Sequence, residues 1–368
     1  MSAFRPVCAG CGRPVEEKYL QALGKVWHPD HFVCKGCGRP IRGESFTLDD
    51  GAPYHAECYN QFVAPRCAHC GKPLLGEFLL HDGKQYHEEC YNQFVAPRCA
   101  HCGKPLSGQF FVHNGASYHT ECYSQFVAQR CAYCGKPLLG EFLVDHWDTK
   151  FCKEHQQQYP HCAYCGRLVP PQQQERGVEI VRCPICRSSA VETIEAVKSP
   201  YARVILWAKS QGLTYSDLPP RPELCNRAKM AQLLRGRDGS HSLGVTQSTA
   251  YTESGRTIRT QVNGIAILHG LPTTLFQGVT MHELGHVWLI MHGIQNLPPW
   301  AEEGFCELLA YRYYQHLNSP EARYHASSTE KNPDPVYGDG FRRLRTLCDK
   351  YGFSRLLTIL DTTKQLPR

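Results

Sequence analysis

His282-Glu283-Leu284-Gly285-His286 sets two imidazoles four residues apart with a carboxylate beside the first. On a helix, residues i and i+4 share a face, so both imidazoles can hold one divalent ion while Glu283 acts on a water there. The flanking Val279, Leu284, Val287, Leu289 and Ile290 make that helix mostly apolar. Two histidines and a glutamate are costly in such surroundings unless something satisfies them. A catalytic zinc needs three protein ligands and one open position. The segment Pro298-Pro299-Trp300-Ala301-Glu302-Glu303-Gly304-Phe305 reads as the start of a second helix with proline in its first turn. It offers Glu302, Glu303 and, one turn on, Glu307 for the third ligand.

A second set of metal ligands fills the first half of the chain. Of 21 cysteines, 18 lie between Cys8 and Cys186. With six histidines they form six tetrads. The first four are Cys8, Cys11, His28, His31; Cys34, Cys37, His55, Cys58; Cys67, Cys70, His87, Cys90; and Cys99, Cys102, His119, Cys122. The last two are Cys131, Cys134, Cys152, His155 and Cys162, Cys165, Cys183, Cys186. Each Cys-x2-Cys turn aims two thiolates at a tetrahedral ion, and a hairpin returns the second pair after 16 or 17 residues. All four positions are filled by protein, so these are structural zinc sites, closed to catalysis. Cys225, Cys306 and Cys348 read as buried thiols.

The elements that must position these ligands follow from local pattern. Asp82-Gly83 and Asn114-Gly115 are hairpin turns between short apolar runs. Each module has about 25 residues, too few for a core, so the metal supplies the folding free energy. The segment that begins at Tyr59 repeats at Tyr91 and, altered, at Tyr123. Residues 187–198 read as a polar connector, with a helix over 201–211 and an interruption at Pro219-Pro220-Arg221-Pro222. Strands are expected near 242–249 and 257–268, the later one suited to pairing with an extended peptide. The motif helix starts near Leu271-Pro272-Thr273-Thr274, and an amphipathic stretch runs through Leu344, Leu347 and Tyr351.

The 368 residues are 42% hydrophobic and 20% charged, which excludes a disordered chain. No run reaches the roughly 18 apolar residues of a spanning helix, and no secretory leader pattern is present. A soluble, cytoplasmic protein without a membrane partner is expected. The formal charge is +6, but six zinc ions and 18 thiolates bring it to about zero. The basic helix of a DNA-reading finger is missing. The array is therefore expected to bind proteins and not nucleic acid.

Only Phe32 and Val33 separate the first two tetrads, with Trp27-His28-Pro29 ahead of them, and this resembles a LIM domain. Residues 1–60 then form a LIM domain with two zinc sites, 61–190 four LIM-like single-zinc modules, and 191–368 a zinc metallopeptidase domain. The Trp300 to Phe305 stretch resembles the Trp-x-x-Glu-Gly-Phe segment of gluzincin peptidases, which implies Glu303 as the third ligand ahead of Glu302 and Glu307. Tyr337-Gly338-Asp339-Gly340 before a helix is similar to an element of aminopeptidase-type gluzincins, which implies Tyr337 as a donor to the oxyanion.

The whole arrangement resembles the plant LIM-peptidase family that limits organ growth, described as ubiquitin-activated peptidases. The likeness includes Gly264-Ile265-Ala266-Ile267-Leu268-His269-Gly270-Leu271-Pro272 and Val336-Tyr337-Gly338-Asp339-Gly340-Phe341-Arg342. It implies tandem zinc-stabilised β-hairpin modules followed by an α+β zincin-like (gluzincin) domain. It also implies an endopeptidase of protein substrates, with His282 and His286 as metal ligands and Glu283 as the catalytic glutamate. One catalytic zinc would join the six structural ones. The array would recruit substrate or partners, or keep the cleft latent. Ubiquitin is a partner by this resemblance, although no acidic ubiquitin-interacting helix is visible. The alternative is a LIM-type adaptor with an inactive peptidase domain, which would predict a damaged motif.

Overall fold

The computed structural model describes residues 6–367 apart from 17, 44, 176, 178, 179, 218, 235–241, 254 and 255. Packing groups the chain into two compact units, 1–129 and 130–368. The fifth and sixth tetrads thus fall in the second unit.

In the first unit each tetrad is built on a two-stranded antiparallel hairpin, such as Leu79–His81 with Lys84–Tyr86 and Phe110–His113 with Ala116–His119. Asp82-Gly83 and Asn114-Gly115 both take positive φ at each turn residue, the conformation a two-residue hairpin loop needs. Behind the third and fourth tetrads, Tyr91–Val95 and Tyr123–Val127 form single π-helical turns. The private core of the third module is only Cys67, Leu74 and Tyr86. Such a core cannot carry a fold without metal.

The second unit departs from expectation at its start. Residues 187–198 are not a connector: α1 (Ile194–Ser210) begins at Thr193, whose hydroxyl accepts the Ala196 N–H. An N-cap threonine and the buried stripe of Val197, Tyr201, Val204, Ile205 and Ala208 drive the helix, and its interior proline, Pro200, hid the pattern. Three strands follow: β1 (Glu223–Cys225), β2 (Gly244–Glu253) and β3 (Arg256–Leu268). Their order is β1-β3-β2, with β1 parallel and β2 antiparallel to β3. The strand expected to receive a peptide, β3, is therefore central. Its Ala266–Leu268 end is paired on both sides, and an added strand needs an unpaired edge. Among the described residues, the unpaired edges are the outer side of β2 and the β1-facing side of β3 over 256–265.

A short helix, Arg227–Leu233, lies between β1 and β2, and five longer ones follow β3: α2 (Thr273–Met291), α3 (Pro299–Leu317), α4 (Pro320–Lys331), α5 (Tyr337–Tyr351) and α6 (Phe353–Thr363). Their core is continuous with the sixth tetrad: Cys162, Cys165, Cys183 and Cys186 are buried in the same cluster as Phe276, Leu284, Trp288, Phe305 and Phe341. The fifth module docks through Trp147. Its ring lies 5.3 Å from that of Tyr324 on α4, the Arg167 guanidinium sits 3.6 Å over it, and its N–H donates to Cys165 O at 2.9 Å. Helices α3 and α5 cross backbone to backbone. A Cβ on Gly340 would lie 2.1 Å from Trp300 O, and one on Gly304 2.4 Å from the Gly340 carbonyl carbon.

Candidate metal centre

The motif helix α2 is buried over most of its length, and its two histidines are only 13% and 15% exposed. Helix α3 crosses it closely: a Cβ on Gly285 would lie 2.8 Å from Cys306 Sγ. This crossing brings one α3 carboxylate to the Nε2 atoms of both imidazoles. Glu303 Oε2 lies 3.2 Å from His282 Nε2 and 3.5 Å from His286 Nε2. A tetrahedral zinc with bonds near 2.05 Å puts its N and O ligands about 3.3 Å apart. Glu303 Oε2 is buried and makes no hydrogen bond of acceptable angle. The three atoms fit a shared ion better than they fit one another.

The neighbouring acids face the opposite ring nitrogens. Glu302 Oε1 is 3.0 Å from His286 Nδ1, and Glu307 Oε1 is 3.2 Å from His282 Nδ1. Carboxylates there fix the tautomer and make each Nε2 a better ligand. Charge balance also favours a cation. Burial opposes charging either imidazole, yet Glu303 and Glu307 hold His282 well above its ordinary range. Burial would raise Glu303, but the two imidazoles hold it well below the usual carboxylate range.

Glu283, 5% exposed, meets the sheet: Thr246 Oγ1 on β2 donates to its Oε2 at 2.7 Å. Tyr337 opens α5, where Asp334 Oδ1 accepts the backbone N–H groups of Val336 and Tyr337. Its ring lies 6.4 Å from that of His282. Burial, then the Glu303 charge, pushes the Tyr337 hydroxyl up to about 12, so it stays a neutral donor. The structure thus gathers His282, Glu283, His286, Glu302, Glu303, Glu307 and Tyr337 in one place. Sequence reasoning missed Thr246, which no local motif links to a glutamate 37 residues away.

The cysteine-rich groups fit zinc as well. Five of the tetrads hold their ligand atoms within 4.8 Å of one another. Cys134 Sγ and Cys152 Sγ are 3.8 Å apart and His28 Nδ1 and His31 Nδ1 3.2 Å. About 3.8 Å and 3.3 Å are the tetrahedral edges for sulfur and nitrogen pairs. In the sixth tetrad Cys165 Sγ and Cys183 Sγ are 3.5 Å apart. His87 and His119 turn Nδ1 toward cysteine and Nε2 toward the carbonyls of Pro73 and Pro105. His155 reverses this, with Nδ1 on Gln158 Oε1 and a buried Nε2 lacking any partner. Although burial opposes it, backbone N–H groups of Cys70, His87 and His69 hold the Cys67 thiol down at about 5. Cys225, Cys306 and Cys348 are buried.

A family profile described as DA1-like, Protein DA1, matches residues 223–332, and the LIM domain profile matches 8–63 and 67–127. The second LIM match takes in the third and fourth tetrads. Protein DA1 of Arabidopsis thaliana is 24% identical over 98% of this chain and 68% of its own length. Protein DA1-related 1 of the same plant is 25% identical over 98% and 66%. LIM domain-containing protein HDR3 of Oryza sativa subsp. japonica is 26% identical over 98% and 74%. Among the described residues no helix is long and apolar enough to cross a membrane.

Proposed function

We propose, from the premise that this chain carries LIM domains and a DA1-like domain with homologues among the plant DA1 proteins, that it is a zinc-dependent endopeptidase with a gluzincin-like domain. The observation that carries this reading is the convergence of His282 Nε2, His286 Nε2 and Glu303 Oε2, with Glu283 next to His282 in the α2 sequence. The three ligands leave a fourth direction for substrate and water. Zinc bound there supplies Lewis acidity toward the scissile carbonyl and the attacking water.

The protein's own groups do the rest. Glu283 takes the water proton at its carboxylate and later gives it to the leaving amine. Its burial removes competing water, and the Thr246 hydrogen bond fixes one oxygen. Tyr337 donates its phenolic proton toward the developing oxyanion, which a neutral hydroxyl near pH 7 does well. Glu302 and Glu307 orient the ligand imidazoles. The unpaired edge of β2 accepts an extended peptide by strand addition. The remaining six tetrads hold structural zinc, and the first five present surfaces for protein substrates or partners.

Zinc content and cleavage of denatured casein test this together. Wild type is expected to hold seven zinc ions per chain. The double variant His282→Ala/His286→Ala should hold six, and Glu283→Gln should keep seven while cleaving nothing. Six ions whether or not the histidines are present would overturn the reading and leave a zinc-stabilised adaptor.

A further inference from the structure

We propose that Thr246 is the positioning residue for Glu283, a role that rests on the peptidase reading above. Thr246 Oγ1 lies 2.7 Å from Glu283 Oε2 and 3.1 Å from the Glu283 backbone carbonyl oxygen. A threonine hydroxyl has one proton, and the shorter, charge-assisted contact takes it. The other carboxylate oxygen is accommodated two residues earlier on the same strand. A Cβ on Gly244 would come within 2.8 Å of Glu283 Oε1 and of Val279 Cγ1. Residues i and i+2 share a strand face, so β2 meets the glutamate with open space at one position and a donor at the next.

This arrangement answers a problem that burial creates. Glu283 is almost entirely withdrawn from solvent, so water cannot orient its carboxylate. A carboxylate with neither oxygen held is free to rotate about its last side-chain bond. The Thr246 hydroxyl blocks that rotation by holding one oxygen. The tether comes from the edge strand of the sheet. The strand available to an incoming peptide therefore also sets the orientation of the group that would deprotonate the water.

The test uses the full chain and steady-state cleavage of a casein-derived peptide by wild type, Thr246→Val, Thr246→Ser and Glu283→Gln. Zinc content and thermal unfolding are measured on each. Thr246→Val should lower kcat about 10- to 100-fold and leave KM within about twofold. Zinc content and unfolding temperature should not change, and Thr246→Ser should restore kcat to within about threefold. A peptide hydroxamate, whose hydroxyl meets the same carboxylate, provides a readout without turnover. It should bind Thr246→Val about tenfold more weakly than Thr246→Ser.

Wild-type kcat in Thr246→Val overturns the inference, as does a loss that serine fails to restore or that follows lost zinc or lowered unfolding temperature. If wild type cleaves and Glu283→Gln does not, such a result removes the Thr246 role alone. If wild type cleaves nothing, or Glu283→Gln cleaves equally well, the peptidase reading falls and this inference falls with it.

Discussion

Glu302, Glu303 and Glu307 differ chiefly in which imidazole nitrogen each one faces, and that difference separates their expected phenotypes. Glu303 faces both Nε2 atoms, so Glu303→Gln should lose one zinc ion per chain together with cleavage. Glu302 and Glu307 face the Nδ1 atoms. Either one changed to Gln should keep the ion but weaken its binding about 10- to 100-fold, as read by competition with a chromogenic chelator. Tyr337→Phe should reduce kcat about 100-fold with zinc content and KM unchanged. At this scale the histidine pair was legible, because i and i+4 fix a helix face whatever surrounds it. Ranking three acids on the next helix was not, since adjacent residues point about 100° apart and only the α2–α3 crossing decides between them. Resemblance pointed to Glu303, and the distances are what distinguish it physically.

At the scale of elements, the site depends on helices meeting without side chains between them. Gly304 and Gly340 let α3 and α5 touch, which sets Tyr337 at the start of α5 against the ligands on α2 and α3. Gly340→Ala would drive a methyl group against the Trp300 carbonyl, backbone that cannot swing aside. It should destabilise the second unit by ~1–3 kcal/mol in urea unfolding and reduce cleavage further than that loss alone explains. The Tyr337-x-x-Gly340 spacing was readable as a motif, but the reason for its glycine was not. That reason is a contact between residues far apart in the chain. The hairpins were legible from Asp-Gly and Asn-Gly because those pairs tolerate positive φ. The start of α1 was obscured by Pro200, a residue that ordinarily ends a helix. That β1, only three residues long, covers just the Ala266–Leu268 end of β3 was hidden, because strand order depends on long-range pairing.

For the whole molecule, the six cysteine-rich sites form an ordered series. The first tetrad has two thiolates and two histidines, while the sixth has four thiolates, all buried within the core of the second unit. Cys11, Cys37, Cys70, Cys102 and Cys134 leave one cysteine of each earlier tetrad exposed. Titration with a chelator should therefore remove the first tetrad's zinc early and the sixth tetrad's last. Loss of the sixth should coincide with thermal collapse of 130–368, followed by tryptophan fluorescence. Release of all six metals at one chelator concentration would contradict this order. The tetrads themselves were fully legible from spacing. That the last of them is interior to the core of the second unit was not, because a ligand motif says nothing about what later packs around it.

The burial of Cys162, Cys165, Cys183 and Cys186 also has a consequence for the order in which the chain is made. All four leave the ribosome before His282, His286 and Glu303 have been translated, so the scaffold's metal can be loaded before the candidate metal centre exists. Without that ion the later helices would have no finished wall to pack against. Under zinc starvation, newly made chains should thus go to chaperones and proteolysis instead of accumulating as folded protein that lacks only the ion of the His282, His286 and Glu303 site. Zinc supply would then govern how much of this protein a cell possesses, through abundance and not through the activity of each molecule.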